Sequence, residues 1–211
     1  KTNSIEDWEK KVDAVVSETM SEDMRLISGI PPWVQMYFER LIEQSDKKTT
    51  KEIFPNFSVF AHGGVNYEPY KSTMEKLIGG KVDSIETYPA SEGFIAFQDL
   101  QNTEGLLLNL DAGIFYEFVP VEDFHSDDPR RVSLEEVVIG VNYAIVLNTS
   151  SGLWGYVIGD TVKFVSTSPF RIIVTGRLKH FISAFGEHVI AEEVESAISE
   201  IASMMKFSFI E

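Results

Sequence analysis

The chain has no cysteine among its 211 residues, which removes disulfides and thiol nucleophiles and fits a reducing, cytoplasmic setting. No uninterrupted apolar run reaches about 18 residues, so no transmembrane helix and no membrane partner are expected. The four histidines, His62, His125, His180 and His188, are scattered without HxxxH or comparable spacing, and no histidine-based metal centre follows. Positive charge is scarce. With 18 Lys and Arg against 33 Asp and Glu, the formal net charge is −15, which repels phosphate backbones and speaks against a nucleic-acid partner. The chain opens at Lys1 without a Met, a charged leader or an apolar leader core, so it is expected to be cut from a longer protein. Internal repeats and low-complexity tracts are also missing.

What charge there is lies unevenly. Residues 83–136 carry thirteen acids against only Arg130 and Arg131, whereas Thr161 to Phe185 carries Lys163, Arg171, Arg177 and Lys179 and no acid. A basic strip in an acidic protein is a candidate anion site, and equally a solvated strand surface.

Periodicity predicts the elements. Ser4 and Asp7 form an S-x-x-D capping pattern ahead of Trp8, Val12, Val15, Val16 and Met20, whose spacing predicts a helix to about Ser21. Ile27–Ile30 reads as a short strand, and Pro32 suits the start of a helix bearing Trp33, Met36, Tyr37, Leu41 and Ile42. A buried strand over Phe57–Ala61, a turn at His62-Gly63-Gly64, a helix over Tyr70–Ile78 stopped by Gly79-Gly80, and a strand over Val82–Tyr88 make a βαβ unit with a parallel sheet. From Leu100 onward the runs Leu106–Leu110, Gly113–Val119, Tyr143–Thr149, Gly152–Val157, Thr161–Ser166 and Arg171–Thr175 predict a barrel- or sandwich-like antiparallel part. A strand from Phe181, a turn at Gly186, a helix over Ala191–Ile201 and a strand over Lys206–Ile210 predict the start of a small α+β domain. The expected fold class is α/β, with parts at 1–100, 101–176 and 177–211.

Chemistry-bearing residues recur at predicted strand ends. Gly63-Gly64 permits close approach of the backbone to a ligand, although a simple tight turn explains it equally. Tyr88-Pro89-Ala90-Ser91-Glu92 offers an aromatic face, a hydroxyl and a carboxylate. Gly159-Asp160 places a carboxylate after a glycine, a pattern most often met in an ordinary turn. Gly176-Arg177-Leu178-Lys179 supplies fixed cations, or a solvated turn.

Taken in order, HGGVNYEPY (62–70), YPASEGFIAFQD (88–99), AGIFYEFVP (112–120), SGLWGYVIGDTVKF (151–164) and GRLKHFISAFGEHV (176–189) resemble the adenylate-forming superfamily of acyl-CoA ligases and firefly luciferase. Within it they are most similar to the Gretchen Hagen auxin-responsive family of acyl-acid amido synthetases, in its bacterial branch. The resemblance implies ATP and Mg²⁺, a small carboxylic acid and an amine, such as an amino acid, as substrates. It also implies roles: Tyr88 stacked on adenine, Ser91 at the α-phosphate, Glu92 on Mg²⁺, Asp160 accepting the ribose hydroxyls, Arg177 facing ribose or phosphate, and Gly63 and Gly64 lining the adenine pocket. Glu92 and Arg177 are then the catalytic residues. A hard cation held by one carboxylate plus phosphates suits a lone glutamate. Residues 177–181 would form the hinge, with His180 where many members carry Asp. The phosphate loop and the mobile lysine of that superfamily fall outside the chain, which implies an enzyme when whole and at most weak activity in this piece. An acyl-CoA ligase and a non-catalytic nucleotide-binding domain are the alternatives. His62, Phe94, Phe97, Trp154 and Tyr156 are candidates for the acyl pocket.

Overall fold

A computed structural model describes residues 2–178 and the backbone of residues 182–184 and 187–189. The chain divides into two compact units, Lys1–Thr87 and Tyr88–Glu211. The division falls inside a strand. The predicted helix over 191–201 and strand over 206–210 lie outside the described residues. At the predicted Gly186 turn, the backbone of Ile182–Ala184 and Glu187–Val189 pairs antiparallel.

The first unit contains helices α1 (Trp8–Thr19), α2 (Pro31–Glu43), α3 (Thr50–Ile53) and α4 (Glu68–Ile78), and strands β1 (Leu26–Ser28), β2 (Val59–Gly63) and the start of β3 (Asp83–Ala90). The capping box is corrected. Ser4 lies in a short 3₁₀ turn, and α1 is capped by Asp7, whose Oδ1 accepts from the Lys10 amide at 3.1 Å. The strands β1, β2 and β3 are parallel, with Ser28 opposite Ala61 and Gly63 opposite Thr87, as the βαβ pattern requires. Strand β2 runs two residues further than expected, so His62 and Gly63 are strand residues rather than turn. A Cβ on Gly63 would collide with the Thr87 carbonyl oxygen, so close strand approach fixes glycine there. Helix α4 ends as predicted at Gly79, which takes the left-handed conformation that closes helices. Val16, Phe38, Leu41, Phe57, Phe60, Met74 and Ile78 are buried together at the unit's core.

In the second unit β4 (Gly93–Phe97), β5 (Leu106–Leu108), β9 (Phe170–Arg177), β8 (Tyr156–Thr167), β7 (Asn142–Thr149) and β6 (Ile114–Pro120) lie side by side in that order, all antiparallel. The runs Gly152–Val157 and Thr161–Ser166 were expected as separate strands. They are one strand from Tyr156 onward, because Gly159 at φ +89° lets the chain pass an irregularity and continue pairing. Strand β7 is buried on both faces: Tyr143, Ile145 and Leu147 join the main core with Phe118 and Phe164, while Ala144 and Val146 pack with Val119.

One ion pair ties the far end of this sheet. Arg171 on β9 is 5% exposed and donates from both Nη atoms to Asp99, at 2.7 and 2.9 Å. The guanidinium holds the Asp99 carboxyl below the usual range. Asp99→Ala removes two hydrogen bonds from a buried guanidinium that keeps the Gly105 carbonyl oxygen at 3.4 Å, and we expect a stability loss of about 2 kcal/mol in urea unfolding.

Candidate active site

The predicted motif YPASE is a strand end and a tight reversal: Tyr88 to Ala90 finish β3, Ser91 and Glu92 make the turn, and Gly93 opens β4. Ser91 is exposed and Glu92 half-buried. Asp160 lies on β8 directly opposite Arg177 on β9. The Gly-Asp step is therefore in-strand pairing geometry and not a surface turn.

Three of the predicted site residues meet. The Tyr88 hydroxyl donates to Asp160 Oδ2 at 2.7 Å, and Arg177 Nε pairs with Asp160 Oδ1 at 2.9 Å. Asp160 and Tyr88 are each 8% exposed, whereas the Arg177 side chain is 65% exposed. Burial, reinforced by the Asp160 charge, drives the Tyr88 hydroxyl far above its ordinary value, so it remains a donor. Glu92 meets a residue assigned only to the acyl pocket. Its carboxylate lies beside Tyr156 and pushes the Tyr156 hydroxyl above its ordinary range. Tyr88 and Glu92 are four apart, as are Tyr156 and Asp160, so the motif meets β8 at two points.

The basic strip does not survive as a unit. Arg171 is committed to Asp99 and Arg177 to Asp160; Lys179, like His180, lies outside the described residues. Among the described residues no cluster of three or more His, Asp or Glu side chains is placed to hold a metal ion. Glu92 is a single half-buried carboxylate, and a hard cation held by one carboxylate needs further oxygen ligands, such as those of phosphates.

The five candidates for the acyl pocket separate. Trp154, 80% exposed, lines a cleft of about 370 Å³ with Phe115, Asn148 and Ser150. Phe94 stacks on Phe97 with centroids 5.9 Å apart. Neither of these rings, nor Tyr156, lines that cleft.

Gly63, Gly64 and His62 belong to the first unit. Gly64, at φ +86°, makes the turn after β2. His62 is 3% exposed, packs its ring 4.2 Å from Tyr67, and leaves Nδ1 without a partner among the described residues. Burial pulls its pKa down from 6.5 to about 4, against the opposing charge of Glu68. Glu86, paired with His62 in register, is itself pushed up by burial and by Glu68. Between pH 6.5 and 4 the unfolded chain binds the His62 proton that the folded chain refuses, so stability falls as pH falls across that window. The expected loss is about 3 kcal/mol by pH 4. His62→Phe, measured by denaturant unfolding at several pH values, should flatten that slope; an unchanged slope overturns the assignment.

Comparison with known proteins adds independent findings. Residues 107–177 match the GH3 family central domain. A jasmonoyl–L-amino acid synthetase (JAR4) of Nicotiana attenuata is 31% identical over 121 residues, covering 53% of this chain and 20% of the relative. A probable indole-3-acetic acid-amido synthetase (GH3.12) of Oryza sativa subsp. japonica is 27% identical over 119 residues, covering 46% of this chain and 19% of the relative. Among solved structures, a GH3.15 acyl acid amido synthetase superposes with a TM-score of 0.72 at 14% identity, over 97% of this chain and 47% of that one. The chain thus spans less than half the length of the relatives it matches. No helix among the described residues is long and apolar enough to cross a membrane.

Proposed function

We propose that this chain, which carries the GH3 family central domain over residues 107–177, is the nucleotide-binding part of an ATP-dependent acyl-acid amido synthetase. The observation that carries this reading is the buried Asp160 carboxylate on β8, held between Tyr88 of β3 and Arg177 of the adjacent strand β9. A carboxylate fixed in this way offers paired acceptor oxygens to a ribose diol. Arg177, exposed beside it, suits ribose or phosphate oxygens through its planar fork.

In the first half-reaction a carboxylate oxygen of the acyl substrate bonds to the α-phosphorus of ATP. The bond from that phosphorus to the bridging oxygen breaks, and pyrophosphate leaves. In the second, an amine nitrogen bonds to the acyl carbon, AMP leaves with the bonding electrons, and the amine gives up a proton. The first step is mostly positioning and charge neutralisation. Glu92 would hold Mg²⁺, which neutralises charge on the phosphates when bound, and Ser91 would donate its hydroxyl to the α-phosphate. The amine acceptor is proposed to be an amino acid, as the name of JAR4 suggests, and the name of the Oryza sativa relative agrees with an amide product. A cytoplasmic location is part of the same proposal, resting on the lack of cysteine. The named relatives are plant proteins; descent from the bacterial branch rests on motif texture alone.

Pyrophosphate exchange by the whole protein against a panel of carboxylic acids tests the first half-reaction. Product analysis with amino acids and with CoA tests the second: an amide supports the proposal, and an acyl-CoA thioester overturns it.

A further inference from the structure

The family resemblance makes Tyr88 the ring that stacks on adenine, but only 8% of this residue is exposed, and it sits in the same core cluster as Ile95, Tyr116, Phe118 and Phe164. A ring so enclosed has little face to offer a base. Its hydroxyl, in contrast, is aimed: it donates to Asp160 Oδ2 at 2.7 Å, between two residues that are each 8% exposed. We propose that Tyr88 is a positioning residue whose hydroxyl fixes the Asp160 carboxylate for the ribose hydroxyls. The proposal rests on the nucleotide reading of Asp160 given above.

Each carboxylate oxygen then has one fixed donor, Tyr88 on Oδ2 and Arg177 Nε on Oδ1 at 2.9 Å. An ionised carboxylate has about four lone-pair sites. One donor on each oxygen therefore stops the group from rotating while leaving each oxygen able to accept again. The two tethers differ in kind. Arg177 is exposed at the end of β9 and free to exchange its partner for water or phosphate, whereas Tyr88 is embedded in the core and holds its place. Orientation of the carboxylate thus depends chiefly on the tyrosine, and recognition of ribose depends on a hydroxyl that never touches it.

Tyr88→Phe keeps the ring and its packing and removes only the donor. In the whole protein, equilibrium binding of ATP and of 2′,3′-dideoxy-ATP, each with Mg²⁺, separates the roles. The wild type should prefer ATP. In Tyr88→Phe that preference should shrink about tenfold, with dideoxy-ATP affinity unchanged within about twofold. Because both ligands are read on one folded population, partial unfolding of the variant cancels from the ratio. A variant that keeps the wild-type preference, the result expected of a ring that only stacks or packs, overturns the proposal, as does one that loses affinity for both nucleotides equally. A wild type with no preference for ATP overturns the ribose reading of Asp160 itself, a result distinct from both.

Discussion

Alanine at Glu92 is expected to lower Mg²⁺-dependent pyrophosphate exchange of the whole protein by at least about a hundredfold, the size of loss met when one electrostatic stabiliser of a transition state is deleted. The fold should be indifferent. Glu92 sits in a two-residue reversal between β3 and β4, and its recorded partner, Tyr156, is 40% exposed and can bond water instead. Unfolding in urea should therefore stay within about 0.5 kcal/mol of the wild type. Catalysis lost with stability kept identifies a ligand role. Exchange retained at the wild-type rate sinks the assignment of Glu92, and a shift of the metal dependence to higher Mg²⁺ concentration supports it.

Asp160→Ala should differ on both axes. Two hydrogen bonds to the ribose, each worth about 1.5 kcal/mol or more when one partner is charged, would be lost, weakening ATP binding by about a hundredfold. The substitution also strands the buried Tyr88 hydroxyl, which costs a further 1–3 kcal/mol or so of stability. Arg177, mostly in solvent, contributes little to that loss. Calorimetric titration with ATP and dideoxy-ATP checks the first expectation: dideoxy-ATP should bind wild type and variant alike. Unchanged ATP affinity in a folded variant removes Asp160 from the nucleotide site.

Much of this was legible because it is local. Gly79 as a helix stop, the prolines opening α2, and the alternation of Ile114, Tyr116 and Phe118 against Phe115 and Glu117 are written within a few residues of where they act. The candidate site residues were legible one at a time, from residue types and the order of motifs. Their arrangement was not. Tyr88 is 72 residues from Asp160 and Asp99 is 72 from Arg171, and no local pattern announces that a core tyrosine will find a strand carboxylate or that a surface-looking arginine will be buried. The basic strip failed for that reason, since charge counted along the chain takes no account of partners brought from elsewhere by strand pairing. The cap expected at Ser4 failed more narrowly, because two acceptors three residues apart both suit a helix start and only backbone geometry selects Asp7. The split of β8 failed because Gly159 looks like a stop when it is a bend that the strand absorbs.

A Cβ at residue 159 would meet nothing within 4 Å among the described residues; what restricts the position is the φ of +89°. The direction in which Asp160 points is accordingly set by a torsion that an L residue rarely adopts. Heritable change at position 159 would turn the following carboxylate without altering a single atom of it. Gly159 and Asp160 thus form one unit of selection, and grafting the carboxylate onto another scaffold requires carrying the bend along with it.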